Sequence, residues 1–107
     1  MINKIQIFSS KEELEAKVPI GELLSIKIEG KPIAITSTKT GFFAFRDQCP
    51  HNRVALSDGM CNIYDEIVCP WHNYRFDLRT GVESSGHGLN LKIYHLDITD
   101  EGVYLTL

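Results

Sequence analysis

The sequence predicts an all-β fold, an antiparallel sandwich or barrel, from three observations. Stretches with alternating apolar residues recur roughly every eight to twelve residues, as in small all-β domains. Gly, Asp, Asn and Thr clusters separate them, and one segment alone reads as helix.

Taken in order, Ile5 and Ile7 alternate with polar neighbours and mark a first strand. Ser10-Lys11-Glu12-Glu13 has the form of a capping box and opens one or two helical turns, which Pro19 ends. Leu24, Ile26 and Ile28 alternate, Gly30-Lys31 turns the chain, and Ile33 and Ile35 alternate again, as in a hairpin. Thr40-Gly41 turns into the apolar run Phe42-Phe43-Ala44-Phe45. From about Asp47 to Gly59 no period is sustained, as expected of a long loop. Asn62 to Val68 reads as a strand, and Phe76-Asp77-Leu78 as another running into the turn Arg79-Thr80-Gly81. Leu89 to Ile98 reads as a long strand, and Asp100-Glu101-Gly102 turns into a closing strand, Val103 to Leu107.

The 107 residues suit one domain, and 43% hydrophobic with 23% charged residues is a globular composition. Fourteen acidic against eleven basic residues give a net charge of −3, which excludes nucleic acid as an expected partner. Met1-Ile2-Asn3-Lys4-Ile5 begins neither a long apolar run nor a small-residue cleavage site. No segment reaches the ~20 apolar residues of a membrane span. A cytoplasmic chain without membrane attachment is the expectation.

The chemistry lies in the irregular middle. Cys49-Pro50-His51 and Cys69-Pro70-Trp71-His72 each join one cysteine to one histidine, with seventeen residues between His51 and Cys69. Two thiolates and two imidazoles from two loops make a ligand set for a metal. The third cysteine, Cys61, is then left over, so no disulfide framework follows and a reducing compartment is expected. A structural zinc site is the alternative, since Cys₂His₂ suits tetrahedral zinc, although zinc modules favour tighter Cys-x₂₋₄-Cys knuckles.

This pattern, Cys-x-His and Cys-x-x-His at this separation, resembles the signature of Rieske proteins. Leu56-Ser57-Asp58-Gly59 and Phe76-Asp77-Leu78-Arg79-Thr80-Gly81 are similar to the flanks of the ligand loops in soluble Rieske ferredoxins. The resemblance implies one Rieske-type [2Fe-2S] cluster per chain, with Cys49 and Cys69 on the inner iron and His51 and His72 on the outer. It implies a single Rieske domain, 1–107, with a basal β part at about 1–45 and 84–107 and an inserted cluster-binding subdomain at about 46–83.

The function implied is that of an electron carrier, not an enzyme by itself, between an NAD(P)H-dependent flavoprotein reductase and a terminal oxygenase. A Rieske-like small subunit of an assimilatory nitrite reductase is the alternative of the same family, and a structural zinc-binding module that of another. With two neutral imidazoles the oxidised centre is uncharged, so reduction is easier than for an all-cysteine cluster. Rieske potentials lie at roughly −150 to +300 mV against about −400 mV for plant-type ferredoxins.

High-potential Rieske proteins add a disulfide between the loops and two hydroxyls that donate to sulfur. Here Trp71 occupies the second-loop cysteine position, and Tyr74 and Phe76 the hydroxyl positions. A low potential is therefore expected. Soluble Rieske ferredoxins usually carry glycine soon after the first histidine, where this chain has Asn52-Arg53-Val54. They also carry a proline-containing segment over the cluster, where this chain has Ser84-Ser85-Gly86-His87-Gly88. Trp71 reads as packing at the cluster rim, His87 as an exposed loop residue that falls in the lid, His95 as surface or satisfied core, and Cys61 as a half-buried small hydrophobe. Arg53, Arg75 and Arg79 read as a docking face or as solvated charges.

Overall fold

The computed structural model describes residues 4–107; Met1, Ile2 and Asn3 of the N-terminal stretch read above lie outside the described residues. In chain order the elements are β1 (Lys4–Phe8), α1 (Lys11–Lys17), β2 (Leu23–Ile28), β3 (Lys31–Thr38), β4 (Gly41–Arg46), a 3-10 turn (Leu56–Asp58), β5 (Met60–Cys61), β6 (Glu66–Val68), β7 (Arg75–Asp77), β8 (Ile93–Thr99) and β9 (Gly102–Thr106). One six-stranded sheet has the order β1-β9-β8-β4-β3-β2, and a three-stranded sheet the order β5-β6-β7. Every strand pair is antiparallel, so the all-β expectation holds.

The helix forms because its first turn is capped on both sides. Ser10 Oγ accepts from the Glu13 amide at 3.1 Å, and Glu13 Oε1 accepts from the Ser9 amide at 3.1 Å. The reciprocal bond thus reaches one residue further back than in a standard capping box. Leu14 and Val18, four apart on one face, enter the core, and Pro19 stops the helix.

Three sequence expectations shift. The β2–β3 turn lies at Glu29-Gly30, one residue earlier than expected, with φ of 51° and 79°; Lys31 already pairs with Ile28. Both central residues left-handed is the twist that a two-residue hairpin needs. The strand expected over Asn62 to Val68 exists only at Glu66–Val68. Asn62 Oδ1 accepts from the amides of Tyr64 and Glu66 at 3.0 and 3.1 Å, which folds 62–65 into a turn between β5 and β6. The strand expected from Leu89 begins at Ile93, because residues 89–91 turn back to bond residues 81–83 instead.

Period-two alternation on β3 and β4 links fold to site. Ile33, Ile35 and Ala44 face one core with Phe8, Leu14, Val18, Tyr94, Val103 and Leu105. Ala34 and Phe45, paired across the strands, face a second core with Leu56, Ile67, Phe76, Leu78, Leu91 and both Cys49 and Cys69. One sheet therefore serves two apolar layers, and its far face is the floor under the cysteines. No helix among the described residues is long and apolar enough to cross a membrane.

Candidate metal centre

Two loops bring the four singled-out residues together. The first leaves β4 and runs to the 3-10 turn. It closes on itself: the Cys49 amide donates to Val54 O at 2.9 Å and the Arg53 amide to Cys49 O at 2.8 Å, with Arg53 at φ 64°. Buried Asp47 anchors its base, and its amide donates to Pro32 O at 2.9 Å. The second loop is the tip of the β6–β7 hairpin, closed by the Cys69 amide donating to Tyr74 O at 2.8 Å. His72 and Asn73 sit consecutively in the left-handed region, at φ 65° and 57°. Histidine and asparagine tolerate it better than most residues, yet the conformation still costs about 1 kcal/mol or more per residue. Strain of this kind at a candidate ligand is the mark of a functional turn.

Depth separates the four into two pairs. Cys49 and Cys69 are fully buried, whereas His51 and His72 are exposed, their ring centroids 5.2 Å apart. Among the described residues no three His, Cys, Asp or Glu side chains surround a single ion position. A tetrahedral zinc needs four donors on one point. A buried thiol pair beneath an exposed imidazole pair instead suits two metal ions of different depth.

Burial pushes the Cys69 thiol up; the Trp71 amide, donating to Cys69 Sγ at 3.4 Å, acts the other way, and neighbouring Cys49 adds to the rise. Asn52 packs beside this pair, its Oδ1 3.9 Å from Cys69 Sγ, and its buried Nδ2 has no partner. Two fully buried thiols and an orphaned amide fit a sulfur-bridged cationic centre, which keeps thiolates ionised and offers the amide an acceptor.

Residues 9–94 match the Rieske [2Fe-2S] domain. The chain belongs to the Rieske [2Fe-2S] family. It is 32% identical over 92 residues to the ferredoxin component of the naphthalene 1,2-dioxygenase system of Pseudomonas aeruginosa, covering 85% of this chain and 88% of that one. It is 35% identical over 88 residues to the biphenyl dioxygenase ferredoxin subunit of Pseudomonas sp. strain KKS102, covering 81% of each. Among solved structures, one described as an NADH-dependent nitrite reductase small subunit from Mycobacterium tuberculosis superposes with TM-score 0.83 over 100% of this chain and 96% of its own. At 14% identity that likeness shows the fold alone. The cofactor of this Rieske chain is a [2Fe-2S] cluster, and the donor set described above fits it.

Around the four residues the other candidates fall as follows. Trp71 is 58% exposed and meets His72 edge-on at 6.2 Å. Tyr74 lies stacked on His51, with centroids 4.2 Å apart, and among the described residues its hydroxyl bonds neither cysteine. His87 is exposed but not free, since it stacks on Tyr74 and bonds Glu83. His95 is on the surface and Cys61 is half-buried, as expected. Burial raises the Cys61 thiol, which meets Thr36 Oγ1 at 3.5 Å. Arg79 spans Asp65 and the face of Phe43, whereas Arg53 and Arg75 are exposed near the loops.

Sequence reasoning missed Asp47, Glu83 and Asn52. Asp47 could have been suspected as a carboxylate at the mouth of a loop; nothing in the sequence signals that Glu83 is buried.

Proposed function

We propose that this Rieske chain is the ferredoxin of a multicomponent oxygenase, receiving single electrons from an NAD(P)H-dependent flavoprotein reductase and delivering them to a terminal oxygenase. In this reading Cys49 and Cys69 hold the inner iron and His51 and His72 the outer. The ligand loops belong to a cluster-binding part at about 46–83, set on a basal part at about 1–45 and 84–107. The observation that carries it is the difference in depth between the two donor pairs: sealed thiols, exposed imidazoles.

Bound there, the cluster supplies a one-electron couple. The residues decide where that electron is reachable. Ile67, Phe76, Leu78 and Leu56 keep water from the cysteines, so exchange through the inner side is blocked. The edges of His51 and His72 reach solvent, flanked by exposed Pro50, Pro70 and Trp71, which form a small apolar rim for a partner. The names of the two dioxygenase ferredoxins support an oxygenase as the acceptor. A cytoplasmic location goes with the reading, supported by Cys61, a thiol outside any disulfide once Cys49 and Cys69 are ligands.

The test is direct. Dithionite-reduced protein should show a Rieske EPR signal, with average g below that of all-cysteine clusters. Oxygenase turnover with NAD(P)H and reductase should require the chain. A colourless protein that binds one zinc would overturn the carrier reading, and co-purification with a large sirohaem flavoprotein would replace the oxygenase by a nitrite reductase.

A further inference from the structure

We propose that Glu83, His87 and Tyr74 form a brace that holds the His51 ring in place. The inference rests on His51 being an outer-iron ligand, as proposed above. Tyr74 lies between two imidazoles: 4.2 Å from His51 at an interplanar angle of 20°, and 4.2 Å from His87 at 9°. Three rings are thus nearly parallel. Among the described residues the aromatic neighbours of the other imidazole, His72, are edge-on: His51 at 69° and Trp71 at 89°. One ligand ring is clamped face-on and the other is not.

The outer end of the stack is fixed from below. The Glu83 side chain is fully buried and collects three donors from the segment above it: the Ser85 amide at 2.8 Å, the His87 amide at 2.9 Å and His87 Nδ1–H at 2.8 Å. A carboxylate only accepts, so His87 Nδ1–H is the donor in this contact. Glu83 itself bridges to Phe76 on β7, and the Ser84 amide donates to Arg75 O at 2.8 Å. Gly86 and Gly88 are both left-handed, at φ 84° and 74°, with open space where a side chain would be. Among the described residues the hydrogen bonds of Ser85 and His87 all go to Glu83. The restraint therefore runs from β7 through Glu83 to His87, through Tyr74, and onto one face of His51, shutting water from that face. These are positioning residues; none of them touches a metal in this reading.

The experiment compares cluster-loaded wild type with His87→Ala, His87→Phe, Tyr74→Leu and the double variant Tyr74→Leu/His87→Ala. The readouts are first-order loss of visible absorption under chelator and the EPR line width after reduction. His87→Ala should lose cluster about two- to ten-fold faster, from the worth of one aromatic stack, with broadened lines as the His51 ring samples more orientations. His87→Phe keeps a ring over Tyr74 but loses the bond to Glu83, and should fall between wild type and His87→Ala in both readouts. The double variant should be no worse than Tyr74→Leu alone, because the histidine acts through the tyrosine. Equal loss rates and line widths in wild type and His87→Ala would overturn the brace, as would His87→Phe behaving like His87→Ala, or additive losses in the double variant. A coloured wild type indifferent to His87→Ala sinks the brace alone, whereas a colourless wild type sinks the cluster reading with it.

Discussion

Asp47 holds Ser57 twice: its Oδ1 accepts from the Ser57 amide at 2.7 Å and its Oδ2 from the Ser57 hydroxyl at 2.6 Å. The two residues stand at the entry and the exit of the loop that carries Cys49 and His51, so this pair closes the loop as a ring. Oδ2 also accepts from Ser25 Oγ at 2.7 Å, which ties the loop to β2. Asp47→Ala leaves these donors without their acceptor in a buried place. It should cost roughly 1.5–3 kcal/mol in urea unfolding, with the m-value unchanged. Ser57→Ala removes only the hydroxyl and should cost about 1 kcal/mol.

A second carboxylate joins the two sheets and gives a pH dependence. Asp65, in the β5–β6 turn, accepts from Thr40 Oγ1 at 2.5 Å and from Arg79 Nη2 at 2.9 Å. The Thr40 hydroxyl, opposed by burial and helped by Arg79, holds the carboxyl below its ordinary 3.8. A group depressed on folding stabilises above its unfolded value and loses that contribution as pH falls through its folded one. Wild type should therefore lose stability more steeply than Asp65→Asn on acidification from roughly pH 5 to pH 2. At neutral pH the variant should be the weaker by about 1 kcal/mol, since Arg79 is half exposed. Parallel acid titrations of the two chains followed by circular dichroism check this.

How legible the molecule was depended on whether a feature is local. The capped helix, the β2–β3 hairpin and the closing strands were readable because alternation and caps are properties of neighbouring residues. The metal-ligand candidates were readable because cysteine and histidine are rare residues at fixed spacings. The 62–68 strand was misread because the side chain of Asn62 bends the backbone, and a period-two pattern does not register that. The start of β8 was misread because residues 89–91 pair with 81–83, a non-local choice. The Tyr74 stack was out of reach: it needs positions 51, 74 and 87 brought together by three separate loops.

Two glycines with nearly the same φ separate strain from packing. Gly81 and Gly86 have φ of 81° and 84°. A Cβ on Gly81 would lie 2.1 Å from Leu91 O, whereas one on Gly86 meets nothing within 4 Å. Gly81 also bonds through its amide to Asp77 O and through its carbonyl to the Leu91 amide, both at 2.7 Å. Gly86→Ala should cost about 1 kcal/mol, from backbone strain alone. Gly81→Ala must also push the turn after β7 away from Leu91, and should cost roughly 2–4 kcal/mol. Denaturant midpoints of the two variants, measured side by side, decide between these values.

The reduction potential follows from which groups face sulfur. The donors beside sulfur among the described residues are the Trp71 amide, 3.4 Å from Cys69 Sγ, and the unpartnered Asn52 Nδ2; Tyr74 is held in its stack, and Phe76 is buried without a hydroxyl. With few donors to disperse the added negative charge, the midpoint should lie below zero, near roughly −150 mV, the bottom of the Rieske range. Replacing one imidazole by a thiolate adds a further negative charge. His72→Cys should therefore lower the midpoint sharply, toward the roughly −400 mV of all-cysteine clusters. Its cluster content should fall as well, because position 72 is left-handed at φ 65°, which cysteine adopts less readily than histidine. Protein-film voltammetry of both chains measures the two midpoints. A wild-type value clearly above zero would mean that sulfur is better supplied with hydrogen bonds than the Trp71, Tyr74 and Phe76 geometry allows.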